Sequence, residues 1–139
     1  MTYDYRAKKI TAILSDKLSP GMAMNALGHL ALSAGNNTDK SFMGQAELKD
    51  ANGDIHAGIA KYPFIVLKAT EEQIKEIVKK AKEKGVFVVD YPQEMFDTAT
   101  DEELVEAVSK AKELQYHGAV LVGDASDIKS LTGHLKLYR

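Results

Sequence analysis

Short apolar runs alternate along the chain with longer stretches in which apolar residues recur at every third or fourth position. The short runs are typical of buried strands, and the second spacing is typical of helices that bury one face. The runs predict strands over residues 9–15, 63–68, 86–89, 119–122 and 134–138. Because the predicted strands alternate with helices, the pattern indicates an α/β fold.

Capping residues set the boundaries of the predicted helices. The predicted helical segments run from Ser19 to Gly35, from Thr70 to Gly85, from Thr100 to Leu114 and, as a short turn, from Ser126 to Leu131. A serine followed by a proline opens the first helix, and capping boxes open the second and the third. A glycine ends each of the first two, because glycine readily adopts the left-handed conformation that closes a helix.

A predicted hairpin interrupts this alternation. The dipeptide Asn52-Gly53 supplies the positive φ angles of a tight turn, and it lies between residues 45–48 and 55–59, which are predicted to pair. An antiparallel hairpin among strand–helix units implies a mixed β-sheet, and we expect helices on both of its faces. The length of the chain fits a single domain over residues 1–139.

Composition narrows the class of protein. The chain has 139 residues, of which 45% are apolar and 27% are charged, as in ordinary globular domains. Cysteine is absent, which excludes thiol nucleophiles, disulfides and thiolate metal sites. The net charge of −2 provides no global positive field for nucleic acid. The apolar runs are too short to cross a bilayer and the first residues lack a signal-peptide core, so we expect a cytoplasmic protein without membrane contact.

The common sequence motifs of phosphate binding and hydrolysis are absent. The chain has no P-loop, no dinucleotide-binding glycine motif after its first strand and no nucleophile elbow. Its four histidines lack the close spacing of a zinc-binding pair. We therefore expect neither a cofactor nor a metal ion.

Candidate site residues come from the first helix and from two other elements. Asn25 and His29 are four positions apart, so they project from one helix face, with Met22 one turn earlier. His56 follows the hairpin turn, and Asp90 is predicted at the end of a buried strand. These side chains either line a ligand cleft beside the strand ends or only hold neighbouring backbone, and their spacing leaves both interpretations open.

Charge is unevenly distributed along the chain. Residues 90–106 contain seven acids and no lysine or arginine, so the rest of the chain carries a net charge of +5. A polyanion would be repelled near this segment and tolerated elsewhere. Acids also suit the first turn of a helix, which accounts for residues 101–103 without any function.

Several blocks of the sequence resemble peptidyl-tRNA hydrolases of type II. They are residues 60–74 (AKYPFIVLKATEEQI), 80–85 (KAKEKG), 131–138 (LTGHLKLY) and, in the first helix, 26–29 (ALGH). Residues 18–32 and 50–58 look more like a bacterial family of unknown function, the domain family numbered two thousand, which is assigned the same fold. The blocks keep their order along nearly the full chain. The resemblance therefore implies a peptidyl-tRNA hydrolase II-like fold.

The resemblance also implies roles for particular residues. Type II hydrolases cleave the ester between a peptide and tRNA, using a lysine at the first helix, a glutamine one turn later and an aspartate after a strand. The aspartate corresponds to Asp90, whereas the lysine stretch reads Ser-Pro-Gly-Met over residues 19–22 and the glutamine position falls on Ala26. The positive charge that holds phosphate and stabilises an oxyanion is therefore missing, which argues against peptidyl-tRNA as the substrate.

Three functions are compatible with these observations. The first is binding of a small-molecule ligand, such as an amine, in a cleft formed by the polar residues of the first helix, the hairpin and Asp90. The second is a peptidyl-tRNA hydrolase with rearranged chemistry, in which Asp90 is the base and His29 orients it. The third is a non-catalytic homodimer, built either on an edge strand or on the helix ridge of Gly21, Gly28 and Gly35.

Overall fold

The computed structural model describes residues 3–139. In chain order its strands are β1 (Lys8–Ser15), β2 (Glu47–Lys49), β3 (Ile55–Ala57), β4 (Phe64–Ala69), β5 (Phe87–Pro92), β6 (Tyr116–Asp124) and β7 (Lys136–Leu137). Its helices are α1 (Pro20–Asn37), α2 (Glu71–Lys84), α3 (Glu94–Asp97), α4 (Asp101–Lys110) and α5 (Ala125–Thr132), with a short 3₁₀ turn at Lys40–Phe42. The predicted alternation of strands and helices is confirmed.

The main sheet has five strands in the order β5-β6-β1-β4-β7. Strand β1 runs parallel to β4 and antiparallel to β6, while β5 and β7 pair antiparallel to their neighbours. The sheet is therefore mixed, as predicted, but the hairpin does not belong to it. Strands β2 and β3 form a separate two-stranded sheet.

Helices cover both faces of the main sheet, as predicted. On one face, α2 and α5 bury Ile74, Ile77 and Ile128 against Ile13 and Leu121. On the other face, α1 packs its buried stripe against alternate residues of the same strands. The members of that stripe are Ala23, Ala26, Leu30 and Ala34. Successive side chains of a strand point to opposite faces, so one sheet supplies both cores.

The first helix is longer than its glycine predicted. It passes Gly35 and ends at Asn37, because the backbone N–H and the hydroxyl of Thr38 both donate to the carbonyl of Ala34. The start is as predicted, since the Ser19 side chain accepts a hydrogen bond from the Met22 amide. Gly35 therefore did not end the helix, because a threonine three residues further on caps it.

The acidic segment departs most from the predicted elements. Strand β5 continues through Asp90 to Pro92, so Asp90 lies inside the strand and not at its end. The short helix α3 follows, and α4 ends at Lys110 instead of reaching residue 114. None of the residues of α4 is fully buried, so its predicted inner face only partly contacts the body of the protein.

The hairpin turn lies where the sequence predicts it, but of its two predicted positive φ angles only that of Gly53 is present, and Asn52 has a negative φ. Gly53 has a φ of 91°, and the Asp50 carboxylate accepts hydrogen bonds from the amides of Asn52 and Asp54. Every residue of β2 and β3 is exposed. The hairpin therefore extends from the body of the protein into solvent.

Candidate functional site

A cavity of about 390 Å³ opens between α1, the edge strand β5 and the segment that carries α3 and α4. Its lining comes from all three elements and consists of His29, Leu30, Ser33, Val89, Asp90, Tyr91, Met95, Thr98, Ala99, Thr100, Asp101 and Leu104. Cavities of this volume accommodate small organic molecules. Because β5 is an edge strand, the cavity opens to solvent along the border of the sheet.

Helix α1 places a histidine at the rim of the cavity. Leu30 is buried against the sheet, so its neighbour His29 lies at the border between the buried stripe and solvent. The His29 ring lies 6.1 Å from the ring of Tyr91, measured between centroids. Ser33, one turn after His29, is partly buried and adds a hydroxyl to the same wall.

The start of α4 forms the opposite wall, and its backbone is held by a capping box. Thr100 accepts a hydrogen bond from the Glu103 amide over 3.2 Å, while the Glu103 carboxylate accepts from the amides of Ala99 and Thr100. These backbone hydrogen bonds lower the pKa of Glu103. The carboxylate of Glu103 thus satisfies two amides that would otherwise be free to bind an anion in the cavity.

Tyr91 forms the floor between the two walls. Its ring is buried, contacts Phe96 at a centroid distance of 5.0 Å, and its hydroxyl donates to Oδ1 of Asn25 over 3.4 Å. Burial raises the pKa of the Tyr91 hydroxyl. The Tyr91 hydroxyl is therefore protonated and neutral at physiological pH, and it does not act as a base in the cavity.

Asp90 lines the cavity, but its carboxylate contacts the other face of the sheet. Val89 and Tyr91 belong to the core under α1, and side chains alternate along a strand, so the side chain of Asp90 points toward α2. There its Oδ2 lies 3.5 Å from Nζ of Lys82. Tyr116 stands close by, and its pKa is raised by burial and further by the negative charges of Asp90 and Glu94.

The residues predicted as a site are only partly brought together. His29 and Asp90 both line the cavity, although the Asp90 carboxylate pairs on the opposite side. Asn25 is exposed and does not line the cavity, but its side chain accepts the hydrogen bond from the Tyr91 hydroxyl. Met22 and His56 do not line the cavity, and His56 instead pairs with Asp50 in the hairpin, with Nε2 3.2 Å from Oδ2. The predicted grouping of His56 with the helix residues is therefore wrong.

The sequence prediction missed the residues that α3 and α4 contribute. The loop from Thr98 to Asp101 and the apolar side chains of Met95 and Leu104 line the cavity. Two signals pointed to this segment, namely its capping box and its run of acids, but both also have an ordinary structural explanation. Only the packing of the segment against β5 shows that it closes a cavity.

The buried side chain of His117 holds the start of the segment that carries α3 and α4. His117 on β6 binds the side chain of Gln93 through Nε2, and its Nδ1 lies 3.3 Å from the carboxylate of Glu71. Gln93 in turn donates from its side-chain amide to Asp97 over 2.9 Å. His117 therefore connects β6 and α2 to the residue that precedes α3, and this fixes one end of the cavity wall.

The described part of the chain contains neither a metal-binding cluster nor a membrane-spanning helix. Among residues 3–139, no three histidine, aspartate or glutamate side chains come together in a way that could hold a metal ion. Likewise, none of the helices in those residues has both the length and the apolar character needed to cross a membrane.

The fold and the cavity define an α/β protein with a mixed five-stranded sheet and a cleft at one sheet edge. Residues 8–139 match the family described as "Protein of unknown function (DUF2000)", and the chain belongs to this family. A solved structure of a protein of unknown function from Agrobacterium tumefaciens is similar to the chain, with a TM-score of 0.85 and 21% sequence identity. The likeness covers 96% of this chain and 98% of that one, and it shows a shared fold. No curated protein matches the sequence.

Proposed function

We propose that the protein binds a small organic molecule, with an apolar body and a positively charged amine, in the cavity between α1, β5 and α4. The observation that carries this proposal is the charge of the lining. Within the described residues, the lining includes neither lysine nor arginine, and its acidic charge comes from Asp101, because the Asp90 carboxylate points to the opposite face of the sheet. The Asp90 carboxylate is paired with Lys82, whereas Asp101 forms no ion pair with any residue from 3 to 139.

The apolar part of the ligand fits the inner end of the cavity. The side chains of Leu30, Val89, Tyr91, Met95 and Leu104 all contribute to the lining. Burial of apolar ligand surface against such side chains contributes about 25 cal/mol per Å². The cavity therefore offers an apolar end and an acidic rim, which is the arrangement that an amphipathic amine requires.

The positive end of the α4 dipole lies at the same rim and opposes this preference. A helix N-terminus carries roughly half a positive charge, which favours anions. Here the first turn contains Asp101, Glu102 and Glu103, and Glu103 already accepts two of the loop amides. Three full negative charges outweigh half a positive one, so the rim attracts cations.

We also propose that the fold is that of the peptidyl-tRNA hydrolases of type II, which the blocks at residues 60–74 and 131–138 resemble. Cleavage of peptidyl-tRNA is the less favoured function. A tRNA substrate needs lysine or arginine to hold its phosphates, and the cavity lining contains neither within the described residues. The Asp90 carboxylate also lies beside Lys82 on the face opposite His29, so these two side chains are poorly placed to act as base and orienter.

The proposal is tested by titrating the protein with three ligands of one shape and different charge. The ligands are phenethylamine, 2-phenylethanol and phenylacetate, and binding is followed by NMR shifts of backbone amides. We expect phenethylamine to bind most tightly and to shift the amides of residues 98–101. The variant Asp101→Asn should weaken phenethylamine binding by about two- to fivefold, as for an exposed ion pair, and leave 2-phenylethanol unaffected.

A matched variant separates a local contact from a change in net charge. Glu102→Gln removes the same charge one position further along α4, at a residue that does not line the cavity. It should change phenethylamine binding by less than Asp101→Asn does. Equal binding of the three ligands, tighter binding of phenylacetate, or equal effects of the two variants would each contradict the proposal.

A further inference from the structure

The hairpin has two outer strand edges, one on β2 and one on β3, and neither pairs with another described strand. Strand β2 pairs with β3 along one side, and these two strands form a sheet of their own. Each residue of both strands is exposed. An uncovered strand edge offers backbone donors and acceptors in a row, and it readily pairs with another strand.

The hydrogen bonds inside the hairpin show which backbone groups face outward. The Asp50 amide donates to the carbonyl of Asp54, and the Gly58 amide donates to the carbonyl of Ala46. Backbone groups alternate in direction along a strand, so residues 46, 48 and 50 direct theirs toward β3. The N–H and C=O groups of Glu47 and Lys49 therefore point away from the hairpin.

These outward groups allow β2 to pair with an antiparallel copy of itself. If the two-fold axis passes beside Leu48, then Glu47 of one copy lies opposite Lys49 of the other, and the same pair forms again across the axis. Both residues present outward backbone groups, so each pair can exchange two hydrogen bonds. The two leucines meet between them at the position where side chains approach most closely.

We propose that the protein associates with a second copy of itself through the β2 edge, forming a four-stranded antiparallel sheet from two hairpins. The charge complementarity of the edge selects this occupant, because Glu47 and Lys49 flank Leu48 with opposite signs. Antiparallel self-pairing sets each of these charges opposite its counter-charge, and a two-fold interface is the commonest symmetry of homodimers. The proposal is independent of the cavity, which lies on the main sheet.

The exposed side chain of Leu48 favours the same arrangement. Leu48 is 49% exposed. A two-stranded sheet without a cover is marginal in water, and sheets with more strands are more stable. Pairing of two hairpins doubles the number of strands and covers Leu48 with its counterpart.

Charge reversal at the two flanking positions tests the proposal. In β3 the residues opposite Glu47 and Lys49 are Ala57 and Ile55, so a reversed charge finds no like charge across the hairpin itself. The variants E47K and K49E should each raise the dissociation constant of the dimer by about tenfold or more, because like charges then face each other twice. The double variant E47K/K49E restores opposite charges and should dimerise like the wild type.

Mixing the two single variants supplies the decisive measurement. An E47K chain carries two lysines at the edge and a K49E chain carries two glutamates, so the equimolar mixture should form a heterodimer. Sedimentation velocity at rising concentration measures all five samples, and circular dichroism confirms that each variant is folded. A wild type that stays monomeric at millimolar concentration, single variants that associate like the wild type, or a mixture that stays monomeric would overturn the proposal.

Discussion

The hydroxyl of Tyr91 on β5 donates a hydrogen bond to Oδ1 of Asn25 on α1, over 3.4 Å. This contact joins the edge strand β5 to helix α1 at a tyrosine that lines the cavity. It also gives a structural role to an asparagine at the border of an apolar helix face, where the sequence left open either a ligand contact or a contact with neighbouring backbone. Asn25 thus supports the floor of the cavity through Tyr91.

Tyr91 should make the protein lose stability at alkaline pH. Burial raises the pKa of its hydroxyl above the ordinary value of 10.0. The folded state therefore holds its proton more tightly than the unfolded state, and this contribution is fully present below the unfolded pKa. It is lost as the pH rises through the folded pKa. Urea unfolding at rising pH should show the free energy of unfolding falling above pH ~10.

The variant Tyr91→Phe checks the cause of that loss. It removes the titrating group, so its free energy of unfolding should decline less above pH ~10 than that of the wild type. At neutral pH it should be less stable by about 0.5–1.5 kcal/mol, because the bond to Asn25 is gone. If the variant and the wild type decline in parallel at high pH, Tyr91 is not the responsible group.

Two leucines on α1 should respond very differently to truncation. Leu30 is 1% exposed and packs in the core under the helix, whereas Leu32 is 75% exposed. Leu30→Ala should destabilise the protein by about 2–5 kcal/mol, since it leaves a hole in the core. Leu32→Ala should change stability by no more than about 0.5 kcal/mol. Chemical unfolding of both variants gives the comparison, and similar losses would argue against the described placement of α1.

Two glycines should respond in opposite directions to the same substitution. A Cβ on Gly28 would meet nothing within 4 Å, and the position lies in the middle of α1. Gly28→Ala should therefore stabilise the protein by about 0.5–1 kcal/mol. A Cβ on Gly58 would lie 1.6 Å from the carbonyl oxygen of Gln45, so Gly58→Ala must distort the base of the hairpin. Thermal unfolding measures the first effect, and amide NMR shifts of residues 44–60 report the second.

The pair formed by Asp50 and His56 should be visible in an acid titration. The hydrogen bond from His56 lowers the pKa of Asp50, and the backbone amide of Asp54 lowers it further. A depressed carboxyl pKa stabilises the folded hairpin above the unfolded pKa, and this stabilisation is lost as the pH falls through the folded value. His56→Phe should raise the Asp50 pKa toward its ordinary value, as NMR of the side-chain carboxyl measures. An unchanged Asp50 pKa would contradict the pairing.

Local sequence signals predicted most of the fold because they act over a few residues. The capping boxes at Thr70 and Thr100 and the Asn52-Gly53 turn are all present where the sequence places them. Two predicted helix ends were wrong. Gly35 did not end α1, because Thr38, three residues further on, caps the helix, and α4 stops at Lys110 although its apolar spacing continues.

The candidate site was less predictable than the fold, and Asp90 shows why. An apolar run followed by an aspartate suggested a strand end, yet the strand continues for two more residues. Continued pairing with Ala119 and Gly118 of β6 keeps Asp90 and Tyr91 in the strand. Strand alternation then directs the carboxylate toward Lys82 on α2 instead of toward His29 on α1. A sequence read in isolation does not reveal how far a partner strand extends.

The sequence by itself determined the α/β class, the starts of α1, α2 and α4, the position of the hairpin turn and the acidic character of residues 90–106, because each depends on neighbouring residues or on composition. Only the tertiary structure decided which side chains share a cavity. It brought His29 and Asp101 to opposite walls, sent His56 to a separate hairpin and left one edge of β2 uncovered. Contacts between distant segments depend on strand order and on the face to which each side chain points, and neither is encoded in local spacing.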